Sequence, residues 1–190
     1  MAKVVYIISG FRENTDFEAY RKIMAFFRSR NFKVISIKIS WNYRVMSDYV
    51  EEFLNQFSHK SHDDVYIFGF SKGAMIAFIS AIKLRPKMLI LCSLSPYFRE
   101  DLKYLKTSWR NYVGKKRLSD LKKFSFSELV RNMGYKIYFV VGEKEPIEVK
   151  RRINDAHKRI KSRLIIIKHT RHNISQKEYT DALYGLISKL

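Results

Sequence analysis

Gly69-Phe70-Ser71-Lys72-Gly73 sets one serine between two glycines, each two residues away. The run before it, Asp64-Val65-Tyr66-Ile67-Phe68, reads as a strand, and Gly73–Leu84 after it is apolar nearly all round, as a buried helix is. A serine at so tight a strand-to-helix turn needs small neighbours on both sides. Its hydroxyl then stands at the N-terminus of a helix, whose dipole favours a developing negative charge. Such a serine is placed to attack a carbonyl carbon once a base takes its proton. The plain alternative is a glycine-bounded turn carrying an inert serine.

Other reactive side chains are few. Cys92 is the single cysteine, so an internal disulfide and a thiolate metal cluster are both excluded. It ends the apolar run Met88-Leu89-Ile90-Leu91-Cys92, where a free thiol behaves as a small hydrophobe. No metal-ligand spacing and no phosphate-cradling glycine loop is present, so neither metal nor cofactor is expected. His59, His62 and His157 lie in polar settings and read as solvated. Trp41, in Trp41-Asn42-Tyr43, and Trp109 are candidates to line a pocket, although a loop aromatic is more often ordinary packing.

The elements that must position Ser71 follow a regular order. Short apolar runs at Val4–Ser9, Lys33–Ile39, Asp64–Phe70, Met88–Leu94, Lys136–Val141 and Leu164–Lys168 read as strands covered on both faces. Helical periodicity separates several of them. Phe17, Tyr20, Met24 and Phe27 share one face, as do Val45, Tyr49, Phe53 and Phe57, and Ser175–Leu190 carries Tyr179, Leu183 and Leu186 on one stripe. The pattern predicts an α/β chain: a three-layer, doubly wound, mostly parallel sheet of about six strands, in one domain over 1–190. The polar, basic and aromatic stretch at about 97–131 breaks the alternation and is expected as irregular or helical structure over one edge of the sheet.

Charge is the other marked feature. The formal net charge is +19, and the stretches 97–123 and 144–171 supply +13 of it. A surface of this kind adsorbs nonspecifically to polyanions by counterion release, and a generally basic surface explains it without a specific partner. No apolar run reaches the ~18 residues of a transmembrane segment. Met1–Gly10 runs straight into the first strand without a leader pattern, so a cytoplasmic location is expected. The oligomeric state has no signal in the sequence.

With Gly69-Phe70-Ser71-Lys72-Gly73 between a strand and a helix, the chain resembles the α/β-hydrolase family over essentially its full length. The resemblance implies Ser71 as nucleophile, with the first two of the family's eight strands missing. Val141-Gly142-Glu143-Lys144-Glu145-Pro146 is similar to the family's acid-bearing turn, with Glu145 in the acid position. In Lys168-His169-Thr170-Arg171-His172-Asn173-Ile174, His172 matches the histidine before the last helix. Ser9-Gly10-Phe11 stands where the family often carries His-Gly. The backbone N–H groups of Phe11 and Lys72 are then the implied oxyanion hole, leaving their side chains free to shape the pocket. Glu143 and Asp101 compete for the acid role, and His169 for the base. The Lys72 side chain either attracts an anionic substrate or points to solvent.

The activity implied is cleavage of a carboxylic ester or thioester of a small or medium acyl group through an acyl-enzyme. An amidase or peptidase of the same fold is the nearest rival. A non-catalytic protein on the same scaffold, gripping RNA or an acidic lipid surface through its basic stretches, is the rival of a different class. The shortness of the inserted stretch suggests a shallow or partly open pocket.

Overall fold

The computed structural model describes residues 2–42, 44–59 and 63–190, apart from the Asn132 side chain; Tyr43 and His62 lie outside it. Six strands, β1 (Lys3–Ile8), β2 (Phe32–Ile37), β3 (Asp64–Phe70), β4 (Met88–Cys92), β5 (Lys136–Gly142) and β6 (Arg163–Ile167), form one sheet in the order β2-β1-β3-β4-β5-β6. Every neighbouring pair is parallel. The central strands are buried on both faces, which is why their sequences run apolar instead of alternating.

Helices cover both faces. On one side α1 (Glu18–Ser29) and α8 (Lys177–Ile187) bury Tyr20, Ile23, Phe27, Tyr179 and Leu183 against Val5, Phe68 and Ile90. On the other side lie α2 (Met46–Gln56), α3 (Lys72–Leu84) and α7 (Ile147–Arg159). There Tyr49, Phe53, Phe78 and Ile153 pack on Tyr6, Ile67 and Leu91. The chain leaves β1 for one face and β3 for the other. Loops that diverge in this way open a crevice at the carboxyl ends of adjacent parallel strands. Ser71 stands at the end of β3, at that crevice.

Strand ends move by one or two residues, and β4 stops at Cys92 because Ser93 adopts φ 51°. Phe17 is not on the buried face of α1; it precedes the helix and is 49% exposed. The helix α7 has no counterpart among the helices read from periodicity. Its buried face is only Val149, Ile153 and Ala156 plus the charged Arg152, too thin a stripe to stand out.

The inserted stretch forms α4 (Thr107–Val113), α5 (Lys115–Leu121) and α6 (Phe126–Leu129) with two 3-10 turns. It packs on α2, α3 and α7. Asp120 accepts from the Ser47 amide and hydroxyl on α2, and the Phe126 ring stacks on Phe78 of α3 at 5.2 Å. Asp101 grips Arg152 of α7 through three hydrogen bonds. Aromatic burial holds this stretch down, with buried carboxylates tying it to both flanking helices.

Candidate active site

The turn at Ser71 is sharp. Ser71 has φ 54° and ψ −118°, a conformation that costs a non-glycine residue about 1–3 kcal/mol. Its N–H donates to the Cys92 carbonyl at 2.8 Å, which ties the bend to β4. Both flanking glycines are required sterically. A Cβ on Gly69 would lie 2.5 Å from the Gly73 carbonyl oxygen and 2.6 Å from the Ala74 nitrogen. A Cβ on Gly73 would strike the carbonyl oxygens of Ile8 and Ser9 at the end of β1. That close approach also sets the Ser9-Gly10-Phe11 segment beside the start of α3.

Ser71 Oγ lies 2.9 Å from His172 Nε2, and His172 Nδ1 lies 2.5 Å from Glu145 Oε2. The structure thus joins Ser71, His172 and Glu145 in one hydrogen-bonded row. Two loops must meet to build it. The Lys144 N–H donates to the Thr170 carbonyl and the Glu143 N–H to the Ile167 carbonyl, each at 2.8 Å. This fastens the turn after β5 to the turn after β6. Gly142 permits the approach, since a Cβ there would collide with the Thr170 carbonyl oxygen. Phe70 packs against the imidazole at 5.1 Å, and the Glu145 carboxylate is fully buried behind it.

The competing residues lie elsewhere. Glu143 is exposed and accepts from the His169 N–H at 2.8 Å, and this bond holds its carboxyl below the usual range. His169 is itself exposed and faces Glu143 across 3.7 Å. Asp101 is buried against Arg152. His157 meets Ser162 at 2.9 Å, and His59 packs on Phe57. Cys92 is fully buried, and burial pushes its thiol well up.

Three residues that no motif marks adjoin the row, Ser93 and Tyr179 behind Glu145 and Ser95 beside Ser71. Ser93 Oγ donates to Glu145 Oε1, and it lies 2.8 Å from the Tyr179 hydroxyl, which donates to the Val140 carbonyl. Ser95 Oγ stands 3.5 Å from Ser71 Oγ. Neither serine belongs to a motif, and Tyr179 read as one more apolar position of α8.

Among the described residues, the Phe11 and Lys72 N–H groups have no hydrogen-bond acceptor. The loop that carries Phe11 is well fixed. The Gly10 N–H donates to Glu13 Oε2 and to the Tyr20 hydroxyl at 3.1 and 2.9 Å, and the Glu13 N–H returns to the Gly10 carbonyl.

Two cavities open at this end of the sheet. One, of about 380 Å³, is lined by Ser71, Ser95, Leu105, Pro146, Val149 and His172 among others. The other, of about 340 Å³, reaches Phe11, Lys72 and the inserted helices, and both tryptophans line it. Tyr97 and Trp109, stacked at 4.5 Å, belong to both walls. Trp41 is pinned by donating from Nε1 to the Glu13 carbonyl at 3.0 Å. Among the described residues, no cluster of three or more side chains suited to hold a metal ion is found, and no helix is long and apolar enough to cross a membrane.

No protein-family model and no curated protein sequence matches the chain. Solved structures do. Est1E from Butyrivibrio proteoclasticus superposes with a TM-score of 0.83 at 14% identity, over 99% of this chain and 88% of that one. This is the α/β-hydrolase fold. Other structures with the same fold include the alpha/beta hydrolase domain-containing protein 10 from mouse, with TM-score 0.73 at 14% identity over 98% and 88% of the two chains. A dienelactone hydrolase from Anabaena variabilis gives 0.70 at 15% identity over 99% and 84%. Within the α/β-hydrolase fold, Ser71 occupies the turn after a central strand that the sequence motif led us to expect.

Proposed function

We propose that this protein is a serine hydrolase that cleaves a carboxylic ester or thioester through an acyl-enzyme intermediate. The observation that carries the reading is the unbroken row Ser71 Oγ, His172 Nε2, His172 Nδ1, Glu145 Oε2, with the serine at a strained turn. Strain of this kind persists only where the surrounding structure enforces it, and it concentrates at functional sites.

Each residue then has a role. His172 takes the proton from Ser71 Oγ as that oxygen bonds to the carbonyl carbon. Glu145 accepts from His172 Nδ1, which leaves Nε2 free to act as base and stabilises the imidazolium once formed. The carbonyl oxygen gains negative charge and is received by the Phe11 and Lys72 N–H groups, one such donor being worth about 10² to 10³ in rate. His172 returns the proton to the leaving oxygen or sulfur as the carbon–heteroatom bond breaks. Water, activated by the same imidazole, then releases the acid from Ser71. The neighbours by fold are named esterases and hydrolases, and Est1E has a solved complex with ferulic acid; ester cleavage here agrees with them.

A fluorophosphonate probe tests the reading. The protein should be labelled at Ser71, and Ser71→Ala or His172→Ala should abolish the labelling. Absence of labelling in the wild type at every pH between about 6 and 9 would remove catalysis from consideration. A binding scaffold would then be the better account.

A further inference from the structure

The 340 Å³ cavity has an unusual charge pattern. Arg12, Arg44, Lys72 and Arg117 line it, drawn from four separate segments, and none of its described lining residues is acidic. Among the described residues, Lys72 and Arg12 form no ion pair. The Lys72 ammonium sits 3.5 Å from the centroid of the Phe11 ring, and the Arg12 guanidinium 5.2 Å from the same ring. Arg44 meets Glu52 at a long 3.5 Å, and Arg117 donates to the Arg44 and Val113 carbonyls. Grouping cations on a wall whose described lining holds no acidic residue raises the energy of the empty site, and an anion entering it relieves that cost. Burial drives the Lys72 ammonium down to about 8, with Arg117 and Arg12 pushing in the same direction.

The reaction geometry says which part of a substrate reaches this cavity. Four groups surround the tetrahedral carbon: Ser71 Oγ, the oxyanion, the leaving atom and the acyl chain. The leaving atom must meet His172, and His172 lines the 380 Å³ cavity but not the 340 Å³ one. The leaving group therefore takes the first, and the acyl chain passes by Phe11, Lys72 and the Tyr97–Trp109 stack into the second. Aromatic walls suit a flat or apolar body, and the cations suit a charged end.

We propose that the 340 Å³ cavity is the acyl site and selects acyl groups that carry a carboxylate or phosphate at the end remote from the scissile bond. This rests on the serine-hydrolase reading above. Lys72 and Arg12 are the specificity determinants, and the basic character of the chain is in this respect focused on its substrate.

Three p-nitrophenyl esters of matched length test it: the hexanoate, the monoester of adipate and the corresponding ω-phosphono ester. The wild type should favour at least one anionic ester over the neutral one by about tenfold or more in kcat/KM at constant ionic strength. Whichever anionic ester leads identifies the charged group. Arg12→Met and Lys72→Met should each cut that ratio several-fold. Lys33→Gln, which removes an equal charge from the opposite end of the sheet, should leave it unchanged. Because the readout is a ratio, a general loss of activity in a variant does not mimic the effect.

Binding supplies a second measurement that is independent of turnover. Trp41 and Trp109 are the chain's two tryptophans and both line this cavity, Trp41 this one alone, so their fluorescence responds to its occupancy. Adipate or 6-phosphonohexanoate should perturb it at concentrations well below those needed for hexanoate, and Arg12→Met should abolish the difference. Equal turnover of neutral and anionic esters, equal binding of adipate, the phosphonate and hexanoate, or a Lys33→Gln effect as large as that of Arg12→Met would each overturn the anion site and leave the hydrolase standing. Selective anion binding in a protein that turns over no ester and takes no fluorophosphonate would uphold the anion site and sink the hydrolase.

Discussion

Ser93 Oγ donates to one oxygen of the Glu145 carboxylate while His172 Nδ1 meets the other, so the acid is held from both sides. The Tyr179 hydroxyl backs Ser93 at 2.8 Å. The side chains of Ser93, Glu145 and Tyr179 are all buried. Glu145 therefore has little freedom to rotate away from the imidazole.

Ser93 acts as a positioning residue on this reading, without touching the substrate. Ser93→Ala removes one charge-assisted hydrogen bond, worth about 1.5–3 kcal/mol, or roughly ten- to a hundredfold in rate. The loss should fall on kcat with KM nearly unmoved, because Ser93 lines neither cavity. A rise in KM of the same size, with kcat retained, would show that Ser93 shapes the pocket instead. Steady-state kinetics with a p-nitrophenyl ester separates the two.

The acid assignment is testable against its neighbour two positions away. Glu145→Gln keeps the shape of the row but replaces the carboxylate that fixes the imidazole tautomer, and should lower kcat by about 10³- to 10⁴-fold. Glu143→Gln disturbs only an exposed contact with His169 and should leave kcat within about twofold. Reversal of this ranking would move the acid to Glu143.

Much of this site was legible in the sequence because its parts are local. Ser71 is marked by glycines that the neighbouring backbone demands sterically, and His172 by its place before the last helix. Glu145 stood ahead of Glu143 only by resemblance to the family's acid-bearing turn, and the geometry that separates them was not legible. It depends on two amide-to-carbonyl bonds between the turns after β5 and β6, and no residue type signals them. Ser93 and Tyr179 are 86 residues apart and meet only because β4 and α8 pack on β5. The cavity cations escaped notice for the same reason: Arg12, Arg44, Lys72 and Arg117 converge from segments that each look like ordinary basic surface. Lys72 alone is marked, by its place after Ser71, and its side chain lines the cavity.

Asp101, a rival for the acid role, has a structural part to play. It receives Arg152 Nε at 3.0 and 2.9 Å and Nη2 at 2.5 Å, both side chains being nearly inaccessible. Removing one partner of a buried pair leaves an uncompensated charge, at a cost of about 3–5 kcal/mol. Asp101→Asn should lower the melting temperature by about 10 °C for a chain of this size. At a temperature where the variant remains folded, it should still take fluorophosphonate at Ser71. A normal melting temperature together with lost labelling would return Asp101 to the catalytic row.

The pH dependence of the anion preference follows from Lys72. Its ammonium is held at about 8, first by burial and then by Arg117 and Arg12, so it is charged below that pH and neutral above. The other charged or titratable groups facing the cavity are Arg12, Arg44, Arg117, Tyr49, Tyr97 and Tyr112. Guanidinium groups keep their charge throughout this range, and burial raises the Tyr49 and Tyr97 phenols above their usual value. The kcat/KM ratio of anionic to neutral ester should thus be level below about pH 7 and fall several-fold through pH 8, stopping short of unity because three guanidiniums remain. Taking the ratio cancels any pH effect on the chemical step, which both esters share. The step should vanish in Lys72→Met and move beyond the accessible range in Lys72→Arg, whose charge does not titrate there. A ratio that stays level in the wild type from about pH 6 to 9.5 would mean that Lys72 does not sense the acyl group, and would shift the selectivity to the arginines alone.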